Sequence, residues 1–160
     1  MATPAILAAL AVVLLAGSAP AAVSPETVEG FPEIVGAATV RIGVETIRLH
    51  GIATAPLGSP VEIEARGWLH RRIAARRVYC HFDPTAEKQE NARSGVCEIE
   101  GLDVSALLVE AGMAIDCPAR SKGRYQVQQQ RAEAAGFKMA DRVPLPASCG
   151  SVPKKAAKKG

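Results

Sequence analysis

The chain has 160 residues, with 19 Lys and Arg against 16 Asp and Glu and a formal net charge of +3. Setting aside the four lysines between Lys154 and Lys159 leaves 15 basic residues against those 16 acidic ones, so the body of the chain is near neutral. Its basic character therefore gives no evidence of a nucleic-acid-binding face, and the length allows one domain with one core.

Met1 to Val23 carries no charged side chain, and residues 5–16 are an unbroken apolar run. Ser18-Ala19-Pro20-Ala21-Ala22 then supplies the small residues of a cleavage site. A run of this length is too short to span a bilayer, which predicts a cleaved signal peptide over 1–22 and a periplasmic or secreted protein. The absence of Lys or Arg from its start argues the other way, toward a retained N-terminal anchor. The mature chain would carry no transmembrane segment. Residues 23–32 read as a lead-in, and 151–160 as a basic, disordered tail able at most to touch nucleic acid or anionic lipid non-specifically.

Ile34-Val35 and Thr39 to Ile42 are β-branched runs. Glu45 to Ile52 then alternates Ile47, Leu49 and Gly51 against Thr46, Arg48 and His50, which predicts half-buried strands meeting at Gly43-Val44. Ser59-Pro60-Val61-Glu62 is a helix start with a cap, a first-turn proline and a capping box, and helical spacing continues to about Arg76. Val78 to Phe82 is a strand, 83–95 a polar loop, and Val96 to Ile99 another strand. Asp103 caps a second helix that closes near Gly112. A third helix covers Tyr125 to Ala135 and ends at Gly136, and Val143 to Gly150 is irregular. Short strands with helices between them predict an α+β domain on a small barrel.

Cys80, Cys97, Cys117 and Cys149 make an even set in an exported chain, which suggests two disulfides among three possible connectivities. The expected pairs are Cys80–Cys97, on apparent neighbouring strands, and Cys117–Cys149. No Cys-x-x-Cys pair exists, and His50, His70 and His81 show no paired ligand spacing, which argues against zinc.

The run Gly36-Ala37-Ala38-Thr39-Val40-Arg41-Ile42, followed by Ile47-Arg48-Leu49-His50-Gly51-Ile52 and Ala55-Pro56, resembles the staphylococcal-nuclease-like (thermonuclease) domain family. That family shows Asp-Gly-Asp-Thr, then a strand ending Arg-Leu-x-Gly-Ile-Asp-Ala-Pro-Glu. The helix from Glu62 to Arg76, the stretch Leu102 to Gly112 and the ending Ala132 to Phe137 extend the resemblance over about residues 33 to 140. It implies an OB-fold domain at 33–150, with a five-stranded barrel and about three helices. It also implies phosphodiester hydrolysis with Ca²⁺, carboxylates and two arginines. Ca²⁺ needs several oxygen ligands, a Glu handles the attacking water, and arginines neutralise the phosphoryl charge.

Carried onto this sequence, the family's carboxylates are missing. The first metal-binding Asp falls on Ala38, the second on Ala53 (or on Thr54 after a one-residue shift), and the catalytic Glu on Leu57. The two arginines fall on Arg48 and on Arg93, whose surroundings have lost the family's Tyr-Gly. Glu45, Glu62, Glu64 and Asp83 read as solvated carboxylates that do not substitute. His50 reads as a rim or core residue, and Trp68 as core between helix and barrel. The resemblance thus predicts no intact catalytic residues, no metal site and no cofactor. What remains is a binding or structural module of the cell envelope, whose expected vestigial pocket holds Arg48 and Arg93 and takes an envelope protein or a phosphate-bearing ligand. The alternative is a divergent nuclease, still using Ca²⁺, with carboxylates recruited from elsewhere.

Overall fold

The hairpin at Gly43 sets the register of the first sheet. Ile42 and Glu45 pair across a two-residue turn, and Gly43 takes a positive φ of 60°, which a glycine adopts without strain. The computed structural model describes residues 26–82, 91–137, 139–144 and 146–150. The expected signal peptide, Asp83 and the basic tail lie outside the described residues.

In chain order the strands β1 (Thr27–Gly30), β2 (Glu33–Gly36), β3 (Thr39–Ile42), β4 (Glu45–Leu49) and β5 (Ile52–Ala53) precede the helix α1 (Pro60–Ile73). Then come β6 (Val78–Phe82), β7 (Arg93–Ile99), β8 (Leu102–Asp103), α2 (Val104–Glu110) and β9 (Ile115–Asp116). The helices α3 (Pro118–Ser121), α4 (Gln126–Ala134) and α5 (Met139–Arg142) follow, with a 3₁₀ turn at Ala147–Cys149. The architecture is α+β, with a strongly curled half-barrel sheet.

The sheet runs β1-β6-β7-β4-β3-β2, with β8 hairpinned onto β7 and a separate β5-β9 pair. All its pairings are antiparallel except β4 with β7, where Ile47 lies opposite Arg93 and Arg48 opposite Ser94. Residues expected as a lead-in thus supply β1, which pairs with β6. Only Phe31-Pro32 separates β1 from β2. A Cβ on Gly30 would stand 2.8 Å from Ile42 Cγ2, so β1 lies directly against β3 across the curl.

Alternation explains which faces are buried. Val40 and Ile42, Ile47 and Leu49, Val78, Cys80 and Phe82, and Cys97 and Ile99 all point inward. Ala65, Leu69 and Ile73 recur at four-residue spacing on α1 and cover this face, and α2 adds Val104 and Leu108. Each fully buried aliphatic side chain contributes about 1.5–3 kcal/mol of transfer free energy. Trp68 packs half-buried against this core.

Both expected disulfides are present. Cys80 and Cys97 lie directly opposite on β6 and β7, and Cys117–Cys149 ties the 3₁₀ turn to the start of α3. The latter bridge is completely buried in a second cluster with Ala53, Ala55, Ile115, Ala132 and Val143. Among the described residues no helix is long and apolar enough to cross a membrane.

Several boundaries differ from expectation for local reasons. The strand expected to reach Ile52 stops at Leu49, because Gly51 turns the chain with φ of 75°. A Cβ there would stand 2.9 Å from both Ser121 Cβ and Tyr125 Cε2, so glycine is required for space as well. The strand β7 starts at Arg93 instead of Val96, because parallel pairing with β4 extends it. The helix α1 ends at Ile73, short of Arg76.

Candidate functional site

A cavity of about 780 Å³ opens where the β2–β3 turn, the end of β4, the β5 turn and the start of α1 converge. Ala38, Arg48, Ala53 and Leu57 all lie on its lining. Local hydrogen bonds fix this arrangement. Leu49 N donates to Ala38 O at 2.9 Å, which holds the β2–β3 turn against the end of β4. Arg48, opposite Thr39 on β3, carries its side chain to the cavity from an exposed position.

Glu62 departs most from expectation. Instead of a solvated carboxylate it is only 2% exposed and lines the cavity. Its Oε1 accepts from Ala37 N and its Oε2 from Gly58 N, both at 3.2 Å. Arg66 Nε stands 3.9 Å away. The capping box is shifted by one residue: Ser59 Oγ accepts from Glu62 N, but the returning carboxylate takes the amide of Gly58 and not of Ser59. Its second oxygen then clamps a turn 25 residues away. Nothing in the local sequence signals that long-range role.

Arg120 is the lining residue that the motif reading missed. It lines the cavity from α3. Its Nε donates to Cys117 Sγ at 3.0 Å, and its Nη2 to Cys149 Sγ at 3.3 Å and Ile52 O at 3.5 Å. Its own carbonyl oxygen accepts from His50 Nε2 at 3.2 Å, while His50 Nδ1 lies 3.1 Å from Ser94 Oγ. His50, half-buried, therefore joins the end of β4 to α3. Burial, and then the neighbouring positive charge of Arg48, pull the Arg120 guanidinium below its ordinary pKa. The two arginines therefore share one electrostatic environment.

Arg93 is placed differently. It is not on the cavity lining. Its guanidinium lies over the Phe82 ring, 3.5 Å from the centroid, and 4.0 Å from Glu45 Oε2. Glu64 bonds Arg142 at 2.7 Å on the surface. Asp83 lies outside the described residues.

The residues present do not fit a Ca²⁺ ion. Among the described residues Glu62 is the one carboxylate on the lining, and two backbone amides already occupy its oxygens. Thr39, Thr54 and Ser148 could add only neutral hydroxyls, whereas Ca²⁺ takes six to eight oxygens, several of them usually carboxylate. Two guanidinium groups on the same lining oppose a divalent cation further. No group of three or more His, Cys, Asp or Glu that could hold a metal occurs among the described residues. The arrangement can hold an anion. In comparison with known proteins, no family model matches the chain, and no curated protein matches it.

Proposed function

We propose that the chain is an exported thermonuclease-like domain that no longer hydrolyses phosphodiesters with Ca²⁺ and instead binds a partner in the cell envelope. That partner is an envelope protein or a phosphate-bearing ligand. The observation that carries this reading is the cavity that gathers Ala38, Ala53 and Leu57 around Arg48. These are the positions where the family resemblance calls for carboxylates, and alanine and leucine offer neither a ligand oxygen nor a base.

The strand order supports the OB-fold part of this reading. If β1 and β2 are taken as one strand bent at Phe31-Pro32, the path runs from that strand to β3, β4, β7, β6 and back. Such a path, with a parallel contact between its third and last strands and α1 inserted after the third, is compatible with the five-stranded barrel of an OB-fold. The additional two-residue strands lie outside this path. Two disulfides suit an oxidising compartment, in line with export.

A divergent active phosphodiesterase is the second reading, and one observation favours it: the Glu62 carboxylate lies in the cavity with Arg48. Incubation of the mature protein with single-stranded DNA and RNA, with Ca²⁺ and with chelator, separates the two. Substrates that stay intact under both conditions agree with the proposal. Ca²⁺-dependent cleavage that disappears in Arg48→Ala overturns it.

A further inference from the structure

We propose that Ser94 and His50 form a nucleophile–base pair, and that the protein transfers acyl groups from activated carboxylic esters through the Ser94 hydroxyl. This activity goes beyond the binding role and rests on neither guanidinium of the cavity.

Two contacts of one imidazole carry the inference. His50 Nε2 lies 3.2 Å from Arg120 O, and His50 Nδ1 lies 3.1 Å from Ser94 Oγ. A carbonyl oxygen accepts and never donates, which assigns the proton of the neutral ring to Nε2 and leaves Nδ1 as the acceptor. Ser94 therefore donates its hydroxyl proton to Nδ1. The order is nucleophile, base and orienting group, with hydrogen-bond reach at each link. Arg120 stands in the last turn of α3, where helix carbonyls lack amide partners, so its oxygen serves the ring.

The base is fixed before any substrate arrives. His50 N donates to Gly95 O at 2.9 Å, and His50 O accepts from Ser105 Oγ at 3.2 Å. With both ring nitrogens engaged as well, His50 is held at four points. The parallel register of β4 and β7 sets Arg48 opposite Ser94 and so brings together two side chains 44 positions apart. Arg48 and Arg120 both line the cavity, which puts the pair beside it. Ser94 and His50 are half-buried, so a substrate reaches the hydroxyl from solvent.

The step needs no cofactor. Ser94 Oγ bonds to the ester carbonyl carbon while its proton passes to Nδ1. The bond from that carbon to the leaving oxygen then breaks, and the departing alcohol takes the proton from Nδ1. Water next attacks the acyl-serine, gives a proton to Nδ1, and releases the acid as Ser94 Oγ recovers that proton. The orienting group sets the substrate class. A neutral carbonyl stabilises the imidazolium less than a carboxylate does, so the leaving group departs with little help. Esters of acidic alcohols meet that condition, and amides do not.

Hydrolysis of p-nitrophenyl acetate by the mature protein, with chelator present so that divalent cations take no part, tests the proposal. Ser94→Ala and His50→Gln should each lower the protein-catalysed rate about a hundredfold or more, the usual contribution of a positioned general base. Surface imidazoles also attack such esters, so the double variant His70→Gln/His81→Gln, which removes the two exposed histidines, should keep the rate. A fluorophosphonate probe should form a bond to Ser94 Oγ of the wild type, located by peptide mass spectrometry, and that result needs no variant to fold. Wild-type rates in folded Ser94→Ala, loss of the rate in His70→Gln/His81→Gln, or a probe that leaves Ser94 unmodified would each overturn the assignment.

Discussion

Replacing Glu62 tests whether the cavity is built around a buried carboxylate, as its two amide bonds indicate. The side chain is 2% exposed and accepts from Ala37 N and Gly58 N at 3.2 Å each. A hydrogen bond to a charged group contributes about 1.5–3 kcal/mol. In Glu62→Ala both acceptors vanish. The Ala37 amide, in a residue only 2% exposed, is left without its partner. The expected loss is about 3–5 kcal/mol, since Gly58 is exposed and water recovers part of its bond. Glu62→Gln keeps one carbonyl oxygen and turns an NH₂ toward the other amide, so about half of that loss should remain. Urea denaturation followed by circular dichroism reads the difference. With an m-value of about 1–3 kcal/mol/M, the midpoint should fall by about 1–5 M for alanine and by less for glutamine. Midpoints for both variants equal to that of the wild type would refute the clamp and make Glu62 an ordinary first-turn residue.

Other expectations follow from the same geometry. Removing the bridge in Cys117→Ala/Cys149→Ala frees a separation of 32 residues, so the midpoint should drop by an amount corresponding to about 4 kcal/mol in the chain-entropy model. Cys80→Ala/Cys97→Ala, with a separation of 17, should cost about 3 kcal/mol and leave Arg120 in place. Unfolding midpoints measured side by side check both values. Burial raises the pKa of the Tyr125 hydroxyl, which donates to Asp103 Oδ2 at 3.0 Å, and the Asp103 charge raises it further. A raised folded-state pKa gives stability that is complete below the unfolded value of about 10 and is lost as pH climbs above it. Thermal scans should show this alkaline decline in the wild type and a shallower one in Tyr125→Phe. An equal decline in both would count against a buried, protonated tyrosine.

Much of the fold could be read from the chain because its signals are local. Alternation in β3 and β4, the Ser59-Pro60 start of α1 and the Asp103 cap of α2 each depend on neighbouring residues, and each element appears where expected. Elements fixed by distant partners were harder to see. The strand β1 exists because it pairs with β6, some fifty residues later, and its own sequence, Thr27-Val28-Glu29-Gly30, is a weak strand former. The short helix α3 begins at Pro118, directly after a cysteine whose partner lies at 149. The cavity follows the same rule. Ala38, Arg48, Ala53 and Leu57 sit in one continuous stretch with a recognisable pattern. Glu62 and Arg120 enter it through the packing of α1 and the disulfide, neither of which leaves a mark at their own positions. Arg93 shows the converse: its motif position suggested a pocket residue, and its neighbours Phe82 and Glu45 engage it elsewhere.

Ca²⁺ titration of the mature protein by calorimetry tests the central claim most directly, run beside a variant carrying Ala38→Asp, Ala53→Asp and Leu57→Glu. Three carboxylates placed on a lining that has one among the described residues supply the hard oxygen ligands that Ca²⁺ requires. The account predicts no saturable Ca²⁺ binding in the wild type and measurable binding in the variant. Saturable one-site binding to the wild type, abolished by Glu62→Gln, would contradict it.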